Sequence, residues 1–119
     1  MIRSQKKREL DAKIHRLDLQ LRTFRDDYFR LAELLQLSDE HPDDKEIADA
    51  VYILEMRLER IVKALDVLNE WQKSMIYWHY ECGLSFREME EIYSYTFKAL
   101  QIKNRKILEE IIRHSPYIA

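Results

Sequence analysis

Residues 71–108 read WQKSMIYWHYECGLSFREMEEIYSYTFKALQIKNRKIL, and they hold the chain's single glycine, Gly83. The local layout follows from that glycine outward. Upstream, Asn69 to Glu81 has helical spacing and is expected to bury Trp71, Met75, Ile76, Trp78 and Tyr80. Cys82-Gly83 ends this helix, because glycine takes left-handed backbone readily at the position after a helix C-terminus. Downstream, Ser85-Phe86-Arg87-Glu88 is a capping box, in which Ser85 and Glu88 each satisfy a backbone donor of a new first turn. That short helix is expected to end near Tyr93. Ser94 to Phe97 then forms a turn, and a last helix runs from about Thr96 to about His114, stopped by Pro116.

One Gly and two Pro in 119 residues leave little material for β turns, so an all-α chain is expected. A single cysteine, Cys82, excludes an intramolecular disulfide and fits a reducing compartment. No apolar run approaches the roughly 20 residues that cross a bilayer. The start, IRSQKKREL, lacks the apolar centre of a secretory signal. The expectation is a cytoplasmic protein without membrane contact.

Before Trp71 the pattern is heptad. Apolar residues fall at Leu10, Ile14, Leu17, Leu21, Phe24, Tyr28, Leu31 and Leu35, and again at Ile47, Val51, Leu54, Leu58, Ile61, Leu65 and Leu68. With SDEHPDDK between them, two such helices make an antiparallel helical hairpin. Asp43 or Asp44 is the expected N-cap of the second helix. At 1.5 Å per residue, a first helix from about Ser4 to Leu37 spans about 50 Å and a second from about Asp44 to Leu68 about 38 Å. The basic start, Arg3 to Arg8, therefore projects past its partner or reaches the C-terminal module. A second strip on helix two, Ala50, Ile53, Val62, Ala64 and Val67, points to self-association or to packing against the C-terminal helices. The expected organisation is residues 1–69 as a hairpin for interaction or dimerisation and residues 70–119 as a separate module.

Net charge is −2, but the charges are not evenly spread. Met1 to Arg30 has nine Lys/Arg against five Asp/Glu, and Leu31 to Glu70 four against eleven. From Tyr93 to Leu108 there is Lys98, Lys103, Arg105 and Lys106 and no acid. On a helix starting near Thr96, Lys98, Gln101, Ile102 and Arg105 share one face, opposite Leu100, Ile107 and Ile111. Arg reads guanine and Gln adenine through paired hydrogen bonds, and an apolar side chain meets the thymine methyl. Lys103 and Lys106, with Thr96 and Arg87 near helix N-termini, suit phosphates. A solvated basic face explains the same residues without a ligand, and an exposed Ile102 equally suits a protein contact.

Other chemistries find less support. His79 and Cys82 are three apart, too few for a metal site, and are expected as a surface histidine and a half-buried thiol. The acidic run from Asp39 to Glu46 lacks the glycine and spacing of a calcium loop. No phosphate-binding glycine loop and no nucleophile with a base and orienting acid is present, so neither catalytic residues nor a cofactor are expected. The aromatics Trp71, Tyr77, Trp78, Tyr80, Phe86, Tyr93, Tyr95 and Phe97 suit core fillers better than a single-strand stacking platform.

The segment from Trp71 to Leu108 resembles the helix-turn-helix of sigma-70 region 4, whose signature is Gly-Leu-Ser-aromatic-x-Glu-Ile-Ala. Gly83, Leu84, Ser85, Phe86 and Glu88 match it, Met89 stands for the Ile, and Ile92 and Leu100 fall at core positions. The whole layout resembles small late-operon transcriptional regulators of phages and prophages, which join a helical hairpin to such a module. The resemblance implies a non-enzymatic, sequence-specific reader of double-stranded DNA in a bacterial host, its last helix in the major groove, working as a homodimer. It also admits an interaction module for RNA polymerase, a sigma factor or another regulator, and a small DNA-recognition subunit of a phage terminase. Three positions depart from the pattern. Glu90 replaces the small residue where the two helices come closest, and Ser94 replaces a turn glycine. Asn104 lies on the seam with Leu100, Ile107 and Ile111. A glutamate at such a contact faces desolvation unless it reaches the edge or finds a partner.

Overall fold

The computed structural model describes residues 2–115, so the expected stop at Pro116 lies outside the described residues. Within them the chain is all-helical, with no strand. Helix α1 (Ile2–Glu40) and α2 (Lys45–Leu65) precede α3 (Glu70–Ile76), which widens into a π turn at Tyr77–Glu81. Helices α4 (Phe86–Met89) and α5 (Phe97–His114) follow. No described helix is long and apolar enough to cross a membrane.

Most boundaries have local causes. Helix α1 runs three residues past Leu37, to Glu40. Pro42 stops it, since it lacks a backbone donor and disfavours helical backbone at His41. The Asp44 carboxylate then accepts from the Ile47 N–H at 3.2 Å and caps α2. Helix α2 ends at Leu65, earlier than its apolar rhythm implies. Leu68 N–H turns back to Leu65 C=O, and Asn69 and Gln72 form a reciprocal capping box at 2.9 Å each that starts α3.

Helices α1 and α2 run antiparallel, with Asp27 facing Arg57 at 3.6 Å and Leu34 against Leu54 and Leu58. Those three leucines are the buried members of a small core at the hairpin tip. The main core draws on both sides of residue 69: Ile14, Leu17 and Leu21 of α1, Ile61 and Ala64 of α2, Met75 and Ile76 of α3, and Leu100, Ile107 and Ile111 of α5. The contact of α1 with the C-terminal helices begins at Leu10 and Asp11, and Arg3 to Arg8 before it are exposed.

The heptad stripes fare differently. That of α2 is buried or half-buried along its length. That of α1 is covered as far as Phe24 and again at Leu31, which packs on the tip core; Tyr28 is 61 % and Leu35 42 % exposed, and Leu34 is buried beside them. The stripe on α1 is continuous, but its cover is the α3–α5 unit, which ends near Phe24. Beyond it only α2 remains, on the flank that Leu31 and Leu34 face. The second strip of α2 also divides: Ala64 is buried, while Ile53, Val62 and Val67 stay exposed.

Candidate functional site

The route from α3 to α5 sets the site. In the π turn each carbonyl meets the N–H five residues on, as Tyr77 C=O does with Cys82 N–H at 2.9 Å. Gly83, at φ +72°, closes it and lets Leu84 N–H reach Trp78 C=O at 3.0 Å. The Ser85–Glu88 capping box forms as expected. Helix α4 then stops at Met89, four residues short of Tyr93, and the chain continues in single turns. This early stop corrects the place of Ile92, which is exposed, while Tyr93 packs inward and pairs its hydroxyl with Ser74 Oγ at 2.8 Å. Glu90 escapes burial. It is exposed, and its carboxylate accepts from the Phe97 N–H, while Thr96 Oγ1 accepts from Ala99 N–H. Glu90 thus caps α5 at an end whose dipole favours an anion.

Helix α5 presents four distinct stripes. Leu100, Asn104, Ile107 and Ile111 face the core. Lys98, Ile102 and Lys106, spaced by four, face solvent. Gln101 and Arg105 border a crevice shared with Asp11, Ile14, His15 and Asp18 of α1. Lys103 lies on the remaining side, 4.5 Å from the Tyr95 ring centre and 5.4 Å from that of Trp71. Arg87, on α4, rests over Phe97 at 5.0 Å.

The expected reading residues thus come together on one helix with unequal freedom. Lys98, Gln101, Ile102 and Lys106 are exposed. Arg105 is paired with Asp11 across the crevice and with Glu109 one turn on at 3.3 Å. The acid-free stretch of sequence therefore acquires an acid from α1. These pairs are half-exposed, and exposed pairs of this kind contribute only about 0–1 kcal/mol, so a phosphate or guanine can displace them. Arg87 and Lys103 hold their charges against aromatic rings at the rim, and Thr96 is occupied as a cap.

A buried polar chain holds α1 in this position. Asn104 Nδ2 donates to the Tyr80 hydroxyl at 3.0 Å, and that hydroxyl donates to Asp18 Oδ1 at 2.6 Å. Arg22 Nε donates to the other Asp18 oxygen at 2.9 Å. Burial, then the bond to Asp18, push the Tyr80 phenol well above its ordinary range, so it stays a donor. Burial also raises Asp18, but the hydrogen bonds from Arg22 and Tyr80 outweigh it and hold the carboxyl below its usual range. The asparagine on the expected apolar seam is thus the α5 end of a three-helix link.

His79 is buried, not on the surface. It stacks on Phe86 with ring centres 4.1 Å apart, and its Nδ1 lies 2.7 Å from Leu84 C=O. Burial lowers its pKa, which leaves the ring neutral with Nδ1–H donating. Cys82 is half-buried, and no cluster of three or more metal-ligating side chains occurs among the described residues. Of the aromatics, Tyr80 is buried and Trp78, Phe86, Tyr93 and Phe97 half-buried, whereas Trp71, Tyr77 and Tyr95 stay exposed.

Comparison with protein-family models, with curated proteins and with solved structures returned no match. What the site does is therefore argued from its own residues.

Proposed function

We propose that this chain is a non-enzymatic, sequence-specific DNA-binding transcriptional regulator of phage or prophage type. In this reading, α4 and α5 act as a helix-turn-helix. The observation that carries the proposal is the double cap on α5, from Thr96 and Glu90. It satisfies two backbone donors of the first turn while Lys98, Gln101, Ile102 and Lys106 stand exposed beyond it. Gln101 and Ile102 address an adenine edge and a thymine methyl, Arg105 leaves Asp11 for a guanine, and Lys98 and Lys106 take phosphates. Lys103, Thr96 and Arg87 border the contact. A matched bidentate pair discriminates against the wrong base by about 1–3 kcal/mol, so one or two suffice for preference.

Selection of bound duplexes from a random pool, followed by titration over a salt series, tests this. Enrichment of a motif, lost or altered in Gln101→Ala and weakened in Lys98→Ala/Lys106→Ala, is expected. A chain that enriches no motif and binds no duplex at low salt sinks the reading.

A second reading has its own observation. Tyr28 and Phe29 of α1, with Tyr77 beyond α3, line an open hollow next to Phe24, and large exposed aromatics suit a protein contact. The partner is then a second copy of the chain, forming the homodimer, or a component of the transcription machinery such as RNA polymerase. Light scattering of the purified chain, alone and with polymerase, distinguishes them.

A further inference from the structure

The N-terminal part of α1 is basic, and the fold lays it beside α5. Round each helix the faces follow in the same order: on α1 Ile14, Leu17 and Leu21 toward the core, then Asp11 and Asp18, then Arg8 and Arg16; on α5 Leu100, Ile107 and Ile111 toward the core, then Gln101 and Arg105, then Lys98 and Ile102. Two right-handed helices that meet along their middle faces, with both core faces on one side, run antiparallel rather than parallel. Asp11 and His15 face the crevice. One step further round α1, at spacings of four, come Arg8, Ala12 and Arg16, all exposed. In antiparallel neighbours the stripes just outside the shared seam open on the same side. Arg8 and Arg16 therefore lie on the surface that carries Lys98 and Ile102. Neither arginine forms an ion pair among the described residues, whereas Arg22, Arg30, Arg57, Arg105 and Arg113 all do. Glu9 borders the stripe as its opposing charge, and Asp11 is already neutralised by Arg105.

Dimensions decide what this stripe can touch. Packed helices lie about 8–10 Å apart, and the major groove, about 12 Å wide, admits one helix. With α5 seated, α1 is too far to the side to enter and lies over the flanking phosphates. Ala12, between the two arginines, keeps that surface low enough for approach.

We infer that the Arg8–Ala12–Arg16 stripe of α1 is a phosphate-contacting rail, so that the DNA interface consists of two helices, one reading bases and one gripping the backbone. The inference rests on the DNA-binding reading above. Fluorescence anisotropy with the selected duplex over a salt series tests it, using the full chain and Arg8→Gln/Arg16→Gln. Lys45→Gln/Arg60→Gln on α2 serves as a control, and circular dichroism checks that each variant folds. Loss of two phosphate contacts is expected to reduce the slope of log affinity against log salt by about 1.8. The selected motif should stay the same, and the control should keep the full slope. If the full chain binds but the rail variant keeps its slope, the rail is wrong and base reading by α5 stands. The same holds if the variant changes the motif instead. If the full chain binds no duplex, the rail falls together with the DNA reading.

Discussion

The two halves of α1 carry the same heptad stripe and meet different fates. From Leu10 to Phe24 the stripe is roofed by α2 on one flank and by the π turn and α5 on the other, and Leu17 and Leu21 are almost wholly buried. From Tyr28 to Leu35 only α2 remains, the tip core shrinks to Leu34, Leu54 and Leu58, and Tyr28 and Phe29 stand in solvent. An apolar repeat specifies which side of a helix seeks cover; a third element decides whether it finds any. The well-roofed half also holds the cations placed beside α5, so it positions the candidate interface, while the tip is left with apolar surface to offer a partner.

The largest expected contrast is in core truncation. Leu17→Ala should cost about 4 kcal/mol and Leu34→Ala about 2 kcal/mol, because the tip can collapse around the lost volume and the main core cannot. Urea unfolding measures both, and equal losses would remove the distinction between the halves. Next comes Tyr80→Phe, expected to cost about 2 kcal/mol, since it leaves the buried Asn104 amide and one Asp18 oxygen without their partner. Tyr52→Phe at the exposed tip should change nothing; a similar loss at both sites would mean that the Asp18–Tyr80–Asn104 link does not hold α1. Gly83→Ala is expected to lose about 1 kcal/mol through its left-handed backbone alone, because an added Cβ meets nothing within 4 Å. A much larger loss would show hidden crowding at the π turn.

The smallest effect is a pH dependence confined to the roofed half. The folded pKa of His79 is lowered, so on acidification the unfolded chain takes up the proton first. Stability from this group is then lost as pH falls below its ordinary value of about 6.5. Between about pH 7.5 and pH 5.5, wild-type stability should fall by more than that of His79→Gln. Asp18 does not interfere. Its lowered pKa contributes stability above the ordinary carboxylate value of about 4, lost only as pH falls further. Parallel pH curves for the two proteins would put the titration elsewhere.

What could be read in advance was local. The caps at Asp44 and Ser85, the left-handed Gly83 and the all-α character follow from residues within one or two turns of each other. The Asn69–Gln72 capping box is equally local, carried by two residues three apart. The widening of α3 into a π turn has no comparable local signature, and it helps to bury His79 and Tyr80. Glu90 looked like a desolvation problem because its distance to the α5 start depends on where α4 ends, and α4 ends early. Arg105 looked like a free reader because Asp11 is 94 residues away in sequence.

The chain's order of residues settled where helices begin, which of their sides are apolar, and that the stretch from Tyr93 to Leu108 carries cations with no acid of its own. Those properties arise within a few residues, through backbone hydrogen bonds, caps and helical period. The tertiary structure decided which half of α1 is covered, that Asp18, Tyr80 and Asn104 join three elements, and that α1 brings an acid, Asp11, to Arg105 of α5. Such outcomes depend on which helices pack together, and packing couples residues that the sequence keeps far apart.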